Sequence, residues 1–357
     1  MQVRQVSTAF AVAALLSGCL ASMGGGTKPS DSGVTTGAIA DTGAAAYQAP
    51  KSEVAVDAIR PEHLSTGNVL IVPSAYVRLA VSGKVAVSSQ GSALRTIGGG
   101  SANSVKASAQ FNVKGIDKTL AQKIAAAAYD DFVAQLRATG YTVLTYADIK
   151  NRDVVKEASR MKPDAEWGLP TEKIQNGTVT ALLATPSDEQ AFDFGFNGGV
   201  FNQFIRLGKT KLEDGIIVIP TYTITTPQMW GEKSSTYATI GAAVRGAPAM
   251  VLTNANAFWL TNKPKVEIMN GIPGVHLKGS TGLSDKVGEL QITEDTTSAA
   301  GNALSAGLSF LTGAGRITSK SATYDMTIDR NAYLTAATDG LRKFNKEVAR
   351  IAATQKP

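Results

Sequence analysis

Histidine, cysteine and paired carboxylates are the residues that could carry metal, nucleophilic or acid–base chemistry, and this chain keeps them apart. Its two histidines, His63 and His276, have no other ligand types clustered beside them, so no zinc-like set is expected. Carboxylate pairs include Asp130–Asp131, Asp188–Glu189 and Glu294–Asp295. General acid–base catalysis needs two carboxylates held in one cleft in different environments. The first pair falls on the polar face of a helical pattern and the others in loop-like sequence, so surface charge is expected of all three. There is no Gly-x-Ser-x-Gly elbow to expose a nucleophile. Gly208-Lys209-Thr210 has the end of a phosphate loop, but Gln203 stands where that loop needs its first glycine. No catalytic constellation, metal or cofactor is therefore expected, and the reading is of a protein that is not an enzyme. A concave site gathering Trp167, Trp230 or Trp259 with carboxylates would instead favour a ligand-binding or hydrolytic protein.

The one cysteine, Cys19, has a more specific context. Arg4 gives the amino-terminal end a positive charge, and an apolar run from Ala9 to Leu16 follows. That run is far shorter than the roughly 20 residues that span a bilayer, and it fits the h-region of an export signal. Leu16-Ser17-Gly18-Cys19 resembles the bacterial lipobox, in which Leu, small residues and a Cys mark the cut. The resemblance implies that residues 1–18 are a signal peptide and that Cys19 is the lipidation site. Its sulfur would take a diacylglyceryl group and its freed amine a palmitate-type chain. Leu20, rather than Asp, implies delivery to the outer membrane, with the chain on its periplasmic face. An unlipidated lone thiol could form no internal disulfide in an oxidising compartment.

Residues 19–60 read as the lipidated Cys and a flexible tether of Gly, Ala, Ser and Thr. About thirty such residues have a reach of some 30 Å. The rest, 61–353, reads as a periplasmic domain, with a break into two subdomains left open near 160–175. The net charge is +6, and the basic residues are scattered. That is read as solubility rather than nucleic-acid binding.

Hydrophobic periodicity supplies the elements. Val77, Leu79, Val81, Val85 and Val87 alternate with Arg78, Ser82, Lys84 and Ser88. After a Gly-rich tip, Val105, Ala107, Ala109, Phe111 and Val113 alternate with Lys106, Ser108, Gln110, Asn112 and Lys114. The pair predicts a long β-hairpin. From Asp117, a capping residue, Leu120, Ile124, Ala128, Phe132 and Leu136 form the stripe of a helix running to about Thr139. A second helix starts at Asp329, with Tyr333, Ala337, Leu341, Phe344 and Val348 as its stripe. A short strand is expected at 178–184, a buried one at 215–224, and further strands at 238–246, 249–261 and 274–280. The small-residue stretch 299–315 and the strand edges are candidate contact surfaces.

The lipidated Cys19, the strand–helix–strand unit and the amphipathic 77–114 hairpin together resemble the curli-secretion type of outer-membrane lipoprotein. That family inserts hairpins into the membrane as an oligomeric ring, so the resemblance implies self-association and a channel. It lacks the aromatic girdles of such a hairpin, because only Tyr76 and Phe111 stand near its base. The expected fold is α+β (or α/β), with a mixed or antiparallel sheet, the long hairpin and two main packed helices. The expected function is a structural or assembly role in an envelope complex or secretion channel. Its partners would be the membrane, through the acyl chains on Cys19, envelope proteins and further copies of the chain, with no nucleic acid. The alternative is a ligand-binding or hydrolytic periplasmic lipoprotein.

Overall fold

The computed structural model describes residues 35–41, 48–90, 104–161, 172–174, 177–192, 215–235, 239–260, 273–294 and 317–357. In chain order the strands and helices are β1 (Thr35–Asp41), β2 (Val56–Ile59), β3 (Val69–Val72), β4 (Tyr76–Gln90), β5 (Ser104–Lys114) and α1 (Lys118–Ala138). Then come β6 (Thr142–Thr145), the single-turn helices α2 (Tyr146–Ile149) and α3 (Asp153–Lys156), β7 (Glu172–Ile174) and β8 (Gly177–Ala184). The middle of the chain is β9 (Ile216–Thr225), β10 (Gln228–Ser235), β11 (Thr239–Ala247) and β12 (Met250–Leu260). The last elements are β13 (Gly274–Leu277), β14 (Thr281–Ser284), β15 (Gly288–Glu294), β16 (Ile317–Ile328) and α4 (Arg330–Thr354). β1 and β2 both lie within the span read as tether.

Thirteen strands join one mixed sheet, whose main path is β15-β16-β5-β4-β9-β12-β13-β2. β8 and β7 branch from β4, β3 and β6 from β9, and β14 from β12. A second sheet has the order β1-β11-β10. α1 and α4 pack on one face of the large sheet and close the main core. In that core Val77, Leu79, Tyr222, Leu252 and Trp259 meet Ile124, Phe132, Leu341 and Phe344. Both helices form for local reasons. The Asp117 carboxylate accepts the Leu120 N–H at 2.8 Å, and Asp329 accepts those of Asn331 and Ala332.

The expected α+β class is overturned: the chain is dominated by β-sheet. The two helices cover only part of one face. Elsewhere the large sheet is covered by another sheet, with Val85, Val87, Phe111 and Tyr324 packed beneath Ala242 and Val244. The covering strands are poor in large apolar residues. β1 is TTGAIAD and β10 is QMWGEKSS, so their sequence does not announce them.

The hairpin's alternation is also broken. Opposite β8 the register slips between Ala80 and Ser82, so that Val81 is an extra residue. One extra residue exchanges the two faces of a strand. Val77 and Leu79 therefore point to the helices, whereas Val85 and Val87 point to the second sheet. The even residues of β8 confirm this, since Ala184 and Leu182 lie beside Val77 and Leu79 but Thr180 and Thr178 beside Ser82 and Lys84.

Candidate functional site

A hydrogen-bonded polar strip on one strand face is assembled from four strands. On β9, Ile217 and Ile219 face a satellite core under α2 and α3. The next residues of the same parity are Thr221, Thr223 and Thr225. Register sets Thr221 beside Asn256 and Thr223 beside Asn254 on β12, Arg78 of β4 beside Thr223, and His276 of β13 beside Asn256. Asn256 is the hub. Its Oδ1 lies 2.8 Å from His276 Nδ1, and its Nδ2 donates to Asn254 Oδ1 at 3.0 Å and to Thr221 Oγ1 at 3.4 Å. With Oδ1 as acceptor, His276 donates through Nδ1, and its ring meets Phe258 edge-on at 5.6 Å. Thr253 bonds both Thr225 Oγ1 and the Thr223 carbonyl. The strip offers hydroxyls, amides and an imidazole. Its histidine is held by the Asn256 amide, and such groups suit the binding of a polar ligand.

A second polar network is built into the core. Tyr222 OH donates to Asn345 Oδ1 at 2.6 Å, and Asn345 Nδ2 donates to the Ala128 carbonyl at 3.2 Å and to Asp131 Oδ2 at 2.8 Å. Arg342 Nε lies 3.4 Å from the other Asp131 oxygen. Burial drives the Tyr222 hydroxyl well above its ordinary pKa, and the Asp131 charge adds to that. Tyr129 acts likewise between β3, α1 and α2. Its hydroxyl donates to the Val72 carbonyl and accepts the Tyr146 N–H, each at 2.9 Å, and burial pushes its pKa up to about 12. These residues fix how the helices sit on the sheet.

The residues weighed for chemistry from sequence are dispersed. Asp131 serves the α1–α4 contact. Asp188 binds Lys118 and Gln122, both at 2.8 Å, and Glu189 meets the Tyr146 hydroxyl at 3.4 Å. Trp259 is buried and donates to the Arg60 carbonyl at 3.0 Å, while Trp230 on β10 donates to Glu232 at 3.0 Å. The two tryptophans thus serve different sheets, and Trp167 lies outside the described residues. So do Cys19, the 207–210 segment, Asp295 and the stretch 299–315. Among the described residues no group of three or more His, Cys, Asp or Glu could hold a metal. The Asn256–His276 strip was missed because its members come from β4, β9, β12 and β13, and no local motif links them.

The hairpin's polar residues form a broad exposed face. One row runs Thr293, Thr323, Gln110, Lys84, Thr178, and the next Gln291, Asp325, Asn112, Ser82, Thr180. Lys114 pairs with Asp325 at 3.3 Å. The opposite, apolar face of the hairpin is covered by β10 and β11. Comparison with protein-family models, curated proteins and solved structures gives no match.

Proposed function

We propose that this chain is an outer-membrane lipoprotein, anchored through Cys19, whose β-rich periplasmic domain does structural or assembly work in an envelope complex or secretion channel. The observation that carries the reading is Leu16-Ser17-Gly18-Cys19 behind a charged and apolar leader. The assembly role is supported by the exposed Ser, Thr, Gln and Lys face of β15, β16, β5, β4 and β8, and by the edge strands β15 and β2 at the ends of the main path. Such surfaces suit protein contacts. In the single chain the apolar faces of the β4–β5 and β10–β11 hairpins cover one another, so a membrane ring would require them to part.

The test is expression in a diderm bacterium with labelled palmitate. The full chain takes up label and sediments with the outer membrane. Cys19→Ser loses the label and nearly all of the membrane fraction. A labelled Cys19→Ser protein, or an unlabelled parent, sinks the anchor. Native mass in mild detergent then tests assembly: a large discrete species supports it, and a monomer without crosslinked envelope partners removes it.

A further inference from the structure

The path of β1 says which end of the molecule the anchor holds. β1 runs parallel to β11, with Thr35 beside Thr239 and Asp41 beside Arg245. Thr239 opens β11 where the last residue of β10, Ser235, lies beside Ile240, so the chain enters β1 at that end of the β10–β11 pair. The large sheet ends at the same level. A Cβ on Gly246 would meet Tyr324 and Leu290, and one on Gly231 would strike Val87. Moving from Gly246 to Thr239, and from Met229 to Ser235, therefore follows β4 toward Gln90, β5 toward Ser104 and β16 toward Ile317. The ends Gln90, Ser104, Ser235, Thr239, Ile317 and the entry at Thr35 form one tip of the two-sheet sandwich. The carboxy-terminal ends of α1 and α4 meet at the other extreme, where Gly140 lies against Lys356. β4 alone, at 15 residues, spans about 45 Å of that distance.

Resting on the lipid-anchor reading, we propose that β1 is a clip that holds this strand tip toward the bilayer surface. Only residues 20–34 separate Cys19 from β1. A random-coil linker of fifteen residues reaches about 20 Å, against about 30 Å for one of thirty residues. Ladder pairing along all of β1 fixes the direction as well as the distance. The strand tip faces lipid, and the ends of α1 and α4 face the periplasm.

The test uses the full lipidated chain in vesicles of phosphatidylethanolamine and phosphatidylglycerol carrying an acceptor dye. Acylated Cys19 has no free thiol, so a donor dye attaches only at an introduced cysteine. Lys106→Cys marks the tip and Thr142→Cys the far end; both positions are exposed. Energy transfer from the tip label is expected to be severalfold greater than from the far label. Ile39→Pro, which removes an N–H from β1, should shrink that difference. Equal transfer from the two labels in the unmodified background overturns the clip, whatever Ile39→Pro does. Failure of the protein to float with the vesicles overturns the anchor reading instead, so the two failures are told apart.

Discussion

Asn345 shows how one residue ties the molecule together. It is fully buried, and its amide serves Tyr222, Ala128 and Asp131 at once. Removing it strands a tyrosine hydroxyl and weakens the hold on a carboxylate, and orphaned buried polar groups are costly. Asn345→Ala is expected to lower unfolding stability by about 2–4 kcal/mol in urea titrations. Tyr222→Phe should cost about 1 kcal/mol, and the double variant less than the sum, because the second change removes the group the first left unpaired. The tyrosines also set an alkaline limit. Tyr129, Tyr222 and Tyr333 are all raised by burial. A group whose folded-state pKa is raised stabilises fully below its unfolded value and loses that contribution as pH rises through the folded one. Stability should therefore hold to about pH 10 and fall as pH approaches the Tyr129 value of about 12. The tyrosinate absorbance of these three residues, read as the difference between the parent and their Phe variants, should coincide with loss of circular dichroism. Ionisation without unfolding would show that these hydroxyls reach solvent.

Among the elements, the start of α1 and the contact between sheets are the most exposed to single changes. Asp117 caps α1 and binds Arg330 at 2.7 and 3.1 Å, which joins the starts of the two long helices. The Arg330 bond, then the Leu120 N–H, lowers its pKa. That contribution is present above the ordinary value of 3.8 and is lost as pH falls below it through the folded value. Asp117→Ala should cost about 1 kcal/mol at neutral pH, mostly as the lost cap, and the difference from the parent should vanish in acid. Between the sheets, Gly231 lets β10 approach Val87, so Gly231→Ala should destabilise by about 1–3 kcal/mol, with partial recovery on adding Val87→Ala. The helices were legible in the sequence because caps and i, i+4 stripes are local signals. The hairpin arms were legible too, but not the face each residue takes, because the bulge at Val81 exists only opposite β8. Of the second sheet only β11 was legible as a strand, since β1 and β10 are small and polar and are held by what lies beneath them. The Asn256–His276 strip depends on cross-strand register, which a single sequence does not state.

At the scale of the whole molecule, the question is whether the hairpin sandwich and the helix-covered core are separate folding units. Three strands argue that they are not. β4 enters the main core at Val77 and the sandwich at Val85, and β9 and β12 continue through Thr226–Pro227 and Pro248–Ala249 into β10 and β11. Val113 and Leu290 touch both clusters. Parting the two sheets in water would expose Val85, Val87, Val105, Phe111, Val179, Val244 and Tyr324. At about 1.5–3 kcal/mol for each large side chain this is on the order of 10 kcal/mol, comparable to the whole stability of a typical domain. Partial opening should therefore be as rare as global unfolding. Native-state hydrogen exchange is expected to give the amides of β11 around Val244 the same free energy of opening as those of α1 around Phe132. Gly231→Ala should lower both together. Mild detergent separates the two ways this protein could meet a membrane. If the hairpins open only in lipid, as a ring would require, detergent should selectively release protection in β10, β11 and the outer half of β4. If the sandwich stays shut while Cys19 alone enters the bilayer, protection in both regions should remain equal.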